Sequence, residues 1–285
     1  MTIDSAIKWH GGKSYLAKRI VGLFPPHLHY VEPFFGGGAV LFARDSGRDW
    51  LGEGQPSSLR GGAEVVNDLN GRLVNFWRVI ADRDAFQEFV RLVELTPVGQ
   101  DTFDSAKDLC ADSVRDAVAF FVRNRQSRQG LGKDFATLSR NRTRRGMNEQ
   151  VSAWLSAIDG LPEIHERLQR IVILNADAIK VIEQQDGPLS LFYCDPPYLH
   201  ETRSSTGEYG NHEMTVEQHR RLLECLSRIQ GKFVLSGYPS GLYSEFKARF
   251  GWHLVEITID NKASSKKEKP QKTECLLMNY QPAKS

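Results

Sequence analysis

The chain has 285 residues with a formal net charge of +2; 40% of its residues are hydrophobic and 25% charged. This is an ordinary soluble globular composition, enough for one large domain or for a core domain carrying a smaller one. No stretch approaches membrane-spanning length and the N-terminus has no apolar signal region, so a cytoplasmic protein is expected. The cysteines, Cys110, Cys194, Cys225 and Cys275, lie far apart with no C-x-x-C pair. That argues against a disulfide framework and against zinc, and no metal is expected.

In chain order, "HYVEPF" reads as a strand, and "GGAVLFARD" as a short helix behind a glycine turn. "GRDWLGEGQPSSLRGG" is a glycine-rich loop without periodicity, and "AEVVN" is strand-like. "GRLVNFWRVIADRDAFQEFVRLVEL" keeps apolar residues at helical spacing for several turns. After a polar, arginine-rich middle come the strand "RIVILN", the helix "DAIKVIEQ", the buried strand "LSLFYC" and the amphipathic helix "TVEQHRRLLECLSRI". The strand "KFVLSGY" and the helix "GLYSEFKARF" follow. "WHLVEITID" and "TECLLMNY" then read as a hairpin across the lysine-rich "NKASSKKEKPQK". Repeated β-α units predict an α/β fold, a doubly wound and mainly parallel sheet. The middle breaks that rhythm, so residues 96–162 are expected to form a small, largely helical inserted subdomain. The core domain is then 1–95 and 163–285.

Charge is unevenly spread. Between Arg123 and Arg145 stand eight basic residues (Arg123, Arg125, Arg128, Lys133, Arg140, Arg142, Arg144, Arg145) against one acid, Asp134. The rest of the chain is therefore net acidic. On charge alone, a phosphate-facing surface and a solvated charged loop are equally supported.

Ligands of open α/β sheets gather beyond the C-terminal ends of the strands. "VEPFFGGG" runs from a strand into a glycine turn, an arrangement that lets backbone approach a ligand but also occurs wherever a strand meets a helix closely. Asp68 in "VVNDLN" follows the next strand, where such folds hold a ribose diol with an acid. Taken alone, it reads better as the cap of the helix starting near Gly71. "WHGGKS" imitates the end of a P-loop, but the required first glycine would fall at Ile7 and no apolar strand precedes it. Lys13 there would hold a carboxylate or phosphate, with Trp9 as a stacking wall.

"LFYCDPPYLHE" carries the sharpest signal. The prolines cannot donate ladder hydrogen bonds, so the strand ends at Asp195. One reading is a proline-stiffened strand exit with Asp195 as a helix cap. The other is chemical. The Asp195 carboxylate and the Pro196 carbonyl accept the two hydrogens of an exocyclic amine, turning its lone pair toward an electrophile. Pro196 and Pro197 keep the carbonyl aimed, and Tyr198 offers an exposed ring on which an aromatic amine would stack. Cys194 precedes the motif within the buried strand, so cytosine C5 chemistry is not expected.

The order Lys8-Trp9-His10-Gly11-Gly12-Lys13, then Glu32-Pro33-Phe34-Phe35-Gly36-Gly37-Gly38, then Asp68, then Asp195-Pro196-Pro197-Tyr198 resembles Dam-type DNA adenine N6-methyltransferases. "HEMTVEQHRRLL" and "SGYPSGLY" share the likeness, which covers both flanks of the chain. The resemblance implies an S-adenosylmethionine-binding fold with a target-recognition insert, acting on a flipped-out adenine in double-stranded DNA, with or without a companion restriction endonuclease. It would place Trp9, Lys13 and the turn at Phe34, Gly36 and Gly38 against the methionine end of S-adenosyl-L-methionine. Asp68 would take the ribose, Asp177 the cofactor adenine, and Asp195 both the cofactor pocket and the target amine. The middle segment departs from the base-reading segment of GATC-specific members, and the recognition sequence is not given. Three rivals stand beside this reading. One is a cytosine N4-methyltransferase, although such enzymes more often carry Ser at the position of Asp195. The second is an RNA or protein amine methyltransferase. The third is a catalytically dead DNA-binding module, against which the intact acids Asp68 and Asp195 argue.

Overall fold

The computed structural model describes residues 3–9, 11–44, 62–107, 111–136, 141–199, 213–260 and 271–282. His10, Cys110, Arg140, nearly all of the glycine-rich loop and most of the lysine-rich loop lie outside the described residues. The chain divides into two compact units: residues 1–22, 35–47 and 70–175 in the first, and 23–34, 48–69 and 176–285 in the second.

The strands are β1 (His29–Glu32), β2 (Ala63–Asn67), β3 (Thr143–Arg144), β4 (Met147–Asn148), β5 (Val172–Leu174), β6 (Ser190–Cys194), β7 (Lys232–Gly237), β8 (His253–Asp260) and β9 (Gln271–Met278). Seven of them form one mixed sheet in the order β5-β2-β1-β6-β7-β9-β8. β1 runs parallel to β2 and β6, and β6 parallel to β7. The β8–β9 hairpin expected from the sequence pairs His253 with Met278 through Asp260 with Gln271, and β9 closes antiparallel on β7. The α/β fold with a mainly parallel sheet is borne out. All five residues of β6 are buried, which is why its sequence is a continuous apolar run rather than an alternation. The helices of the second unit are α9 (Ala178–Gln185), α10 (Val216–Leu226) and α11 (Gly241–Phe250).

The first unit holds α1 (Ala17–Val21), α2 (Ala39–Ala43), α3 (Gly71–Ala81), α4 (Arg83–Glu94), α5 (Gln100–Ser105), α6 (Ser113–Arg125), α7 (Glu149–Asp159) and α8 (Leu161–Leu168). The long periodic stretch after Gly71 is two helices, not one. Asp82 takes an extended conformation, and its carboxylate accepts from the Asp84 and Ala85 amides to start α4. α3 buries Leu73, Val74, Phe76, Trp77, Val79 and Ile80, so it is apolar on nearly every side. It packs against α4, α6 and α8, with Phe76 stacked on Phe121 at 5.9 Å and Phe121 tilted on Trp154 at 5.1 Å.

Residues 96–162 lie within this unit as α5, α6, a 3-10 turn, the β3–β4 hairpin and α7. The hairpin turns on Arg145 and Gly146, both at positive φ (54° and 73°), as a two-residue turn between twisted strands requires.

Candidate active site

In the second unit, β1, β2, β6 and β7 run parallel and deliver their C-terminal residues to one sheet edge. β6 ends at Cys194, and Asp195 follows half-buried. Residues 195–199 contain no helix, so Asp195 caps none among the described residues. The turn after it is held from two directions. His219 Nε2 lies 2.9 Å from the Pro197 carbonyl, and the Tyr198 hydroxyl donates to Glu274 Oε2 at 2.6 Å.

Tyr198 departs from expectation. It is only 8% exposed, because its hydroxyl is tied to the buried Glu274 carboxylate of β9 and its ring meets Tyr238 edge-on at 4.7 Å. It forms a fixed wall rather than a projecting ring. Burial, then Asp195 and Glu274, push its hydroxyl well above the ordinary tyrosine value, so it stays a neutral donor. Next to Asp195, burial pushes the Cys194 thiol well above its usual value, which removes it as a nucleophile.

This edge is acidic. Burial and then Asp195 raise the Tyr193 hydroxyl well above its usual value, with Glu32 and Glu274 adding to the effect. Three carboxylates therefore act on one hydroxyl. Glu32, at the end of β1, is itself buried and accepts from the Tyr30 hydroxyl at 2.6 Å.

β2 ends in Asn67, whose side chain ties two neighbouring loops together. Its Nδ2 donates to the Pro33 carbonyl at 2.9 Å and the Ala176 carbonyl at 3.0 Å, while its Oδ1 accepts the Ala176 amide at 2.9 Å. Phe34 and Asp177 each follow an anchored residue directly. Asp68 follows Asn67 and is half-buried. It is not the helix cap that its position invited: Asn70 caps α3, accepting from the Arg72 and Leu73 amides. Asp177 does cap a helix. It is exposed, and its Oδ1 accepts from the Ile179 and Lys180 amides at 3.0 and 3.2 Å, which commits one carboxylate oxygen to α9.

In the first unit, Trp9 lies on the glycine turn. Gly36 has φ +50°, and a Cβ there would stand 2.6 Å from Trp9 Nε1; at Gly37 it would stand 2.8 Å from Trp9 Cβ. Only glycine allows the indole this approach. Trp77 Nε1 donates to the Gly36 carbonyl at 3.0 Å, and Ser5 Oγ to the Gly37 carbonyl at 2.5 Å. Gly38, at φ +69°, opens α2. Lys13 is buried, with Nζ donating to the Gly11 carbonyl at 2.8 Å.

The basic cluster separates into two groups. Arg123 donates to the Phe103 carbonyl at 3.2 Å and to the Gly132 carbonyl, with its guanidinium 3.8 Å from the Phe103 ring centroid. Arg125 donates to the Ala153 carbonyl at 3.0 Å, and burial lowers it to about 10. Arg145 reaches Ser152 Oγ at 3.1 Å and Ser156 Oγ at 2.6 Å. These three brace their own unit. Arg128, Lys133, Arg142 and Arg144 are exposed, Arg142 lying 3.7 Å from Glu149.

Asn67, His219 and Glu274 were not marked by sequence reasoning. Each is a buried polar side chain whose partner is distant in sequence. The one legible signal is a polar residue within an otherwise apolar strand or helix face.

The model of the D12 class N6 adenine-specific DNA methyltransferases matches residues 9–261, and the chain belongs to that family. It is an adenine-specific DNA methyltransferase; the family implies use of S-adenosylmethionine. The expectation thus holds over the cytosine N4, RNA and protein alternatives. Among curated proteins it is similar to the type II methyltransferase M1.LlaDCHI of Lactococcus lactis subsp. cremoris, with 28% identity over 96% of this chain and 94% of that one. The type II methyltransferase M.MjaIII of Methanocaldococcus jannaschii is 24% identical over 98% of this chain and all (100%) of its own. The DNA N-6-adenine-methyltransferase of Escherichia phage P1 is 26% identical over 78% of this chain but only 28% of that protein. The crystal structure of a putative RNA methyltransferase from Pyrococcus horikoshii covers 93% of this chain and 79% of its own, at 9% identity and a TM-score of 0.36. No helix among the described residues is long and apolar enough to cross a membrane.

Proposed function

We propose that the protein transfers a methyl group from S-adenosyl-L-methionine to N6 of an adenine flipped out of double-stranded DNA, at a specific sequence. The observation that carries the residue-level reading is the exit of β6. A carboxylate, a proline carbonyl and a fixed aromatic ring follow one another there, at the edge where parallel strands end.

The residues present fit the cofactor. The acidic edge formed by Glu32, Asp195 and Glu274 complements a sulfonium cation. Asp68, half-buried just beyond the C-terminal end of β2, stands where such folds hold a ribose diol. Gly36, at φ +50°, lets the Trp9 indole close on the turn, while Gly38, at φ +69°, leaves room for the Phe35 and Phe42 rings behind it. We assign Trp9, Lys13, Phe34, Gly36, Gly38, Asp68, Asp177 and Asp195 to cofactor binding. When bound, the cofactor supplies an electrophilic methyl group on sulfur.

Flipping the adenine costs a few kcal/mol, and stacking on an aromatic ring returns roughly 1–3 kcal/mol. Tyr198 provides a ring whose position is already fixed, so little ordering remains to be done when the base arrives. The Asp195 carboxylate and Pro196 carbonyl accept the two N6 hydrogens and direct the nitrogen lone pair at the methyl carbon. With the cofactor bound, its methyl group would pass from sulfur to N6, and Asp195 stands where it would take up the surplus proton of the amine. Positioning and electrostatics supply the rate, without a covalent enzyme intermediate.

For DNA binding, the exposed Arg128, Lys133, Arg142 and Arg144 are the phosphate-contacting candidates, with 96–162 as the target-recognition region. Two type II relatives support a modification role beside a restriction endonuclease. Work on DNA fits the cytoplasmic location expected from the sequence. The test is methylation of genomic DNA by the purified protein, read at single-base resolution. N6-methyladenine confined to one sequence context is the expected result; N4-methylcytosine, or no modification, would overturn the reading.

A further inference from the structure

We propose that His219 is a positioning residue for methyl transfer, acting on the Pro197–Tyr198 peptide rather than on cofactor or DNA. The inference rests on the assignment of Tyr198 as the ring that receives the target base.

α10 begins at a full capping box: the Thr215 hydroxyl accepts the Gln218 amide at 3.2 Å, and the Gln218 side chain accepts the Thr215 amide at 2.7 Å. With its first turn fixed, the helix buries His219, Leu222, Leu223 and Leu226 on one face. A fully buried imidazole among leucines must have its nitrogens answered. Nε2 lies 2.9 Å from the Pro197 carbonyl, which can only accept, so Nε2 carries the hydrogen. Nδ1 faces the Tyr243 hydroxyl at 3.4 Å. Burial raises the Tyr243 hydroxyl far above its usual value, so it keeps a hydrogen that it can donate to Nδ1. A chain of bonds thus runs from α11 through α10 to the carbonyl between Pro197 and Tyr198.

That carbonyl fixes the plane from which the Tyr198 ring projects. Glu274 fixes the other end of the ring at the hydroxyl. The ring is held by its root and its tip, by side chains from two different elements. Removing His219 frees the root. Because the proline rings limit φ at residues 196 and 197, the released motion falls on the ψ of Pro197 and on Tyr198 itself. A misplacement on the order of 1 Å at the base would slow transfer up to about 100-fold.

The experiment compares four variants on a duplex carrying the mapped target site. Gln places an amide near the Nε2 position and can donate to Pro197; Asn reaches only the Nδ1 position and cannot. His219→Leu keeps bulk without a donor, and Tyr198→Ala tests the underlying assignment. Readouts are the single-turnover methylation rate, S-adenosylmethionine affinity by calorimetry and thermal stability. His219→Leu and His219→Asn should slow single-turnover transfer by about 10-fold or more with cofactor affinity little changed, and His219→Gln should recover most of the rate. If His219→Leu does not fold, the comparison of Gln with Asn carries the test alone. Equal rates for Gln and Asn, or loss of rate only in step with stability, would overturn the inference. A slow Tyr198→Ala beside normal His219 variants would overturn it while sparing the site. Normal rates in Tyr198→Ala would remove the site assignment, and the inference with it.

Discussion

Asn124 completes both backbone hydrogen bonds of Lys8. Its Oδ1 accepts the Lys8 amide at 2.8 Å, and its Nδ2 donates to the Lys8 carbonyl at 2.7 Å. The amide thus acts as one rung of a strand pair between residues 116 apart in sequence. Nδ2 also reaches the Gly130 carbonyl at 3.2 Å, and Lys8 Nζ donates to the Arg125 carbonyl at 3.2 Å. Trp9, the next residue, rests on the glycine turn. The end of α6, which opens the basic segment, and the Trp9 wall therefore share one short piece of chain.

Asn124→Ala should leave two partly buried backbone groups unanswered, at a cost of about 1–3 kcal/mol. Asn124→Asp keeps the acceptor alone and should fall between. Urea denaturation measures both, and wild-type stability in Asn124→Ala would mean that the rung contributes nothing.

Gly36→Ala should weaken cofactor binding more than it weakens folding. The backbone is at φ +50° and the new methyl would stand 2.6 Å from Trp9 Nε1, so the indole must move. Gly251, with φ +65° and nothing within 4 Å of a Cβ, is the control for backbone strain alone, which costs roughly 1–2 kcal/mol. Calorimetry with S-adenosylmethionine should separate the two variants; equal affinities would place the cofactor away from Trp9.

Charge reversal of Arg142 and Arg144 should flatten the salt dependence of DNA binding, each lost phosphate contact removing about 0.9 from the slope of log affinity against log salt. Replacement of Arg123 or Arg125 by Ala should instead lower stability, because their guanidinium groups hold carbonyls of their own unit. Fluorescence anisotropy across a salt series, beside thermal melts, reads both effects. A slope unchanged by the Arg142 and Arg144 reversals would make that stretch a solvated loop.

The strands that carry the site were legible because a fully buried parallel strand has its own signature, an apolar run cut off by Asp195 and two prolines. The hairpin at the C-terminus and the glycine turn were legible for similar local reasons. Roles that depend on long-range contact were not. Asp68 and Asn70 compete for one cap, and only the fold shows that Asn70 takes it. Arg123, Arg125 and Arg144 look alike in a run of charge, yet two of them are spent on backbone carbonyls. The Tyr198 ring reads as exposed from its turn, and is buried by Glu274, 76 residues further on.

The hydroxyls of Tyr193, Tyr198 and Tyr243 are all raised above the ordinary value of 10.0, chiefly by burial. The unfolded chain releases these protons near pH 10, while the folded chain keeps them. Their contribution to stability is therefore complete below pH 10 and is lost as pH climbs toward the folded-state values. Denaturation monitored by tyrosinate absorbance should show stability falling above pH 10 and these tyrosines ionising only as the fold opens. Ionisation in the folded state near pH 10 would contradict their burial.

The most direct test of the account is single-turnover methylation of matched duplexes and of duplexes with the target adenine mispaired, by Asp195→Ala and Tyr198→Ala. Asp195→Ala removes the acceptor that orients the amine, and should lose roughly 100-fold or more in the transfer step on both duplexes. Tyr198→Ala removes the stacking face together with the hydroxyl bond to Glu274 but leaves the Asp195 acceptor in place, and a mispaired base flips more cheaply, so the mismatch should restore part of its smaller loss. Equal rescue of the two variants by the mismatch would show that the target amine is held elsewhere and that the motif only ends the strand.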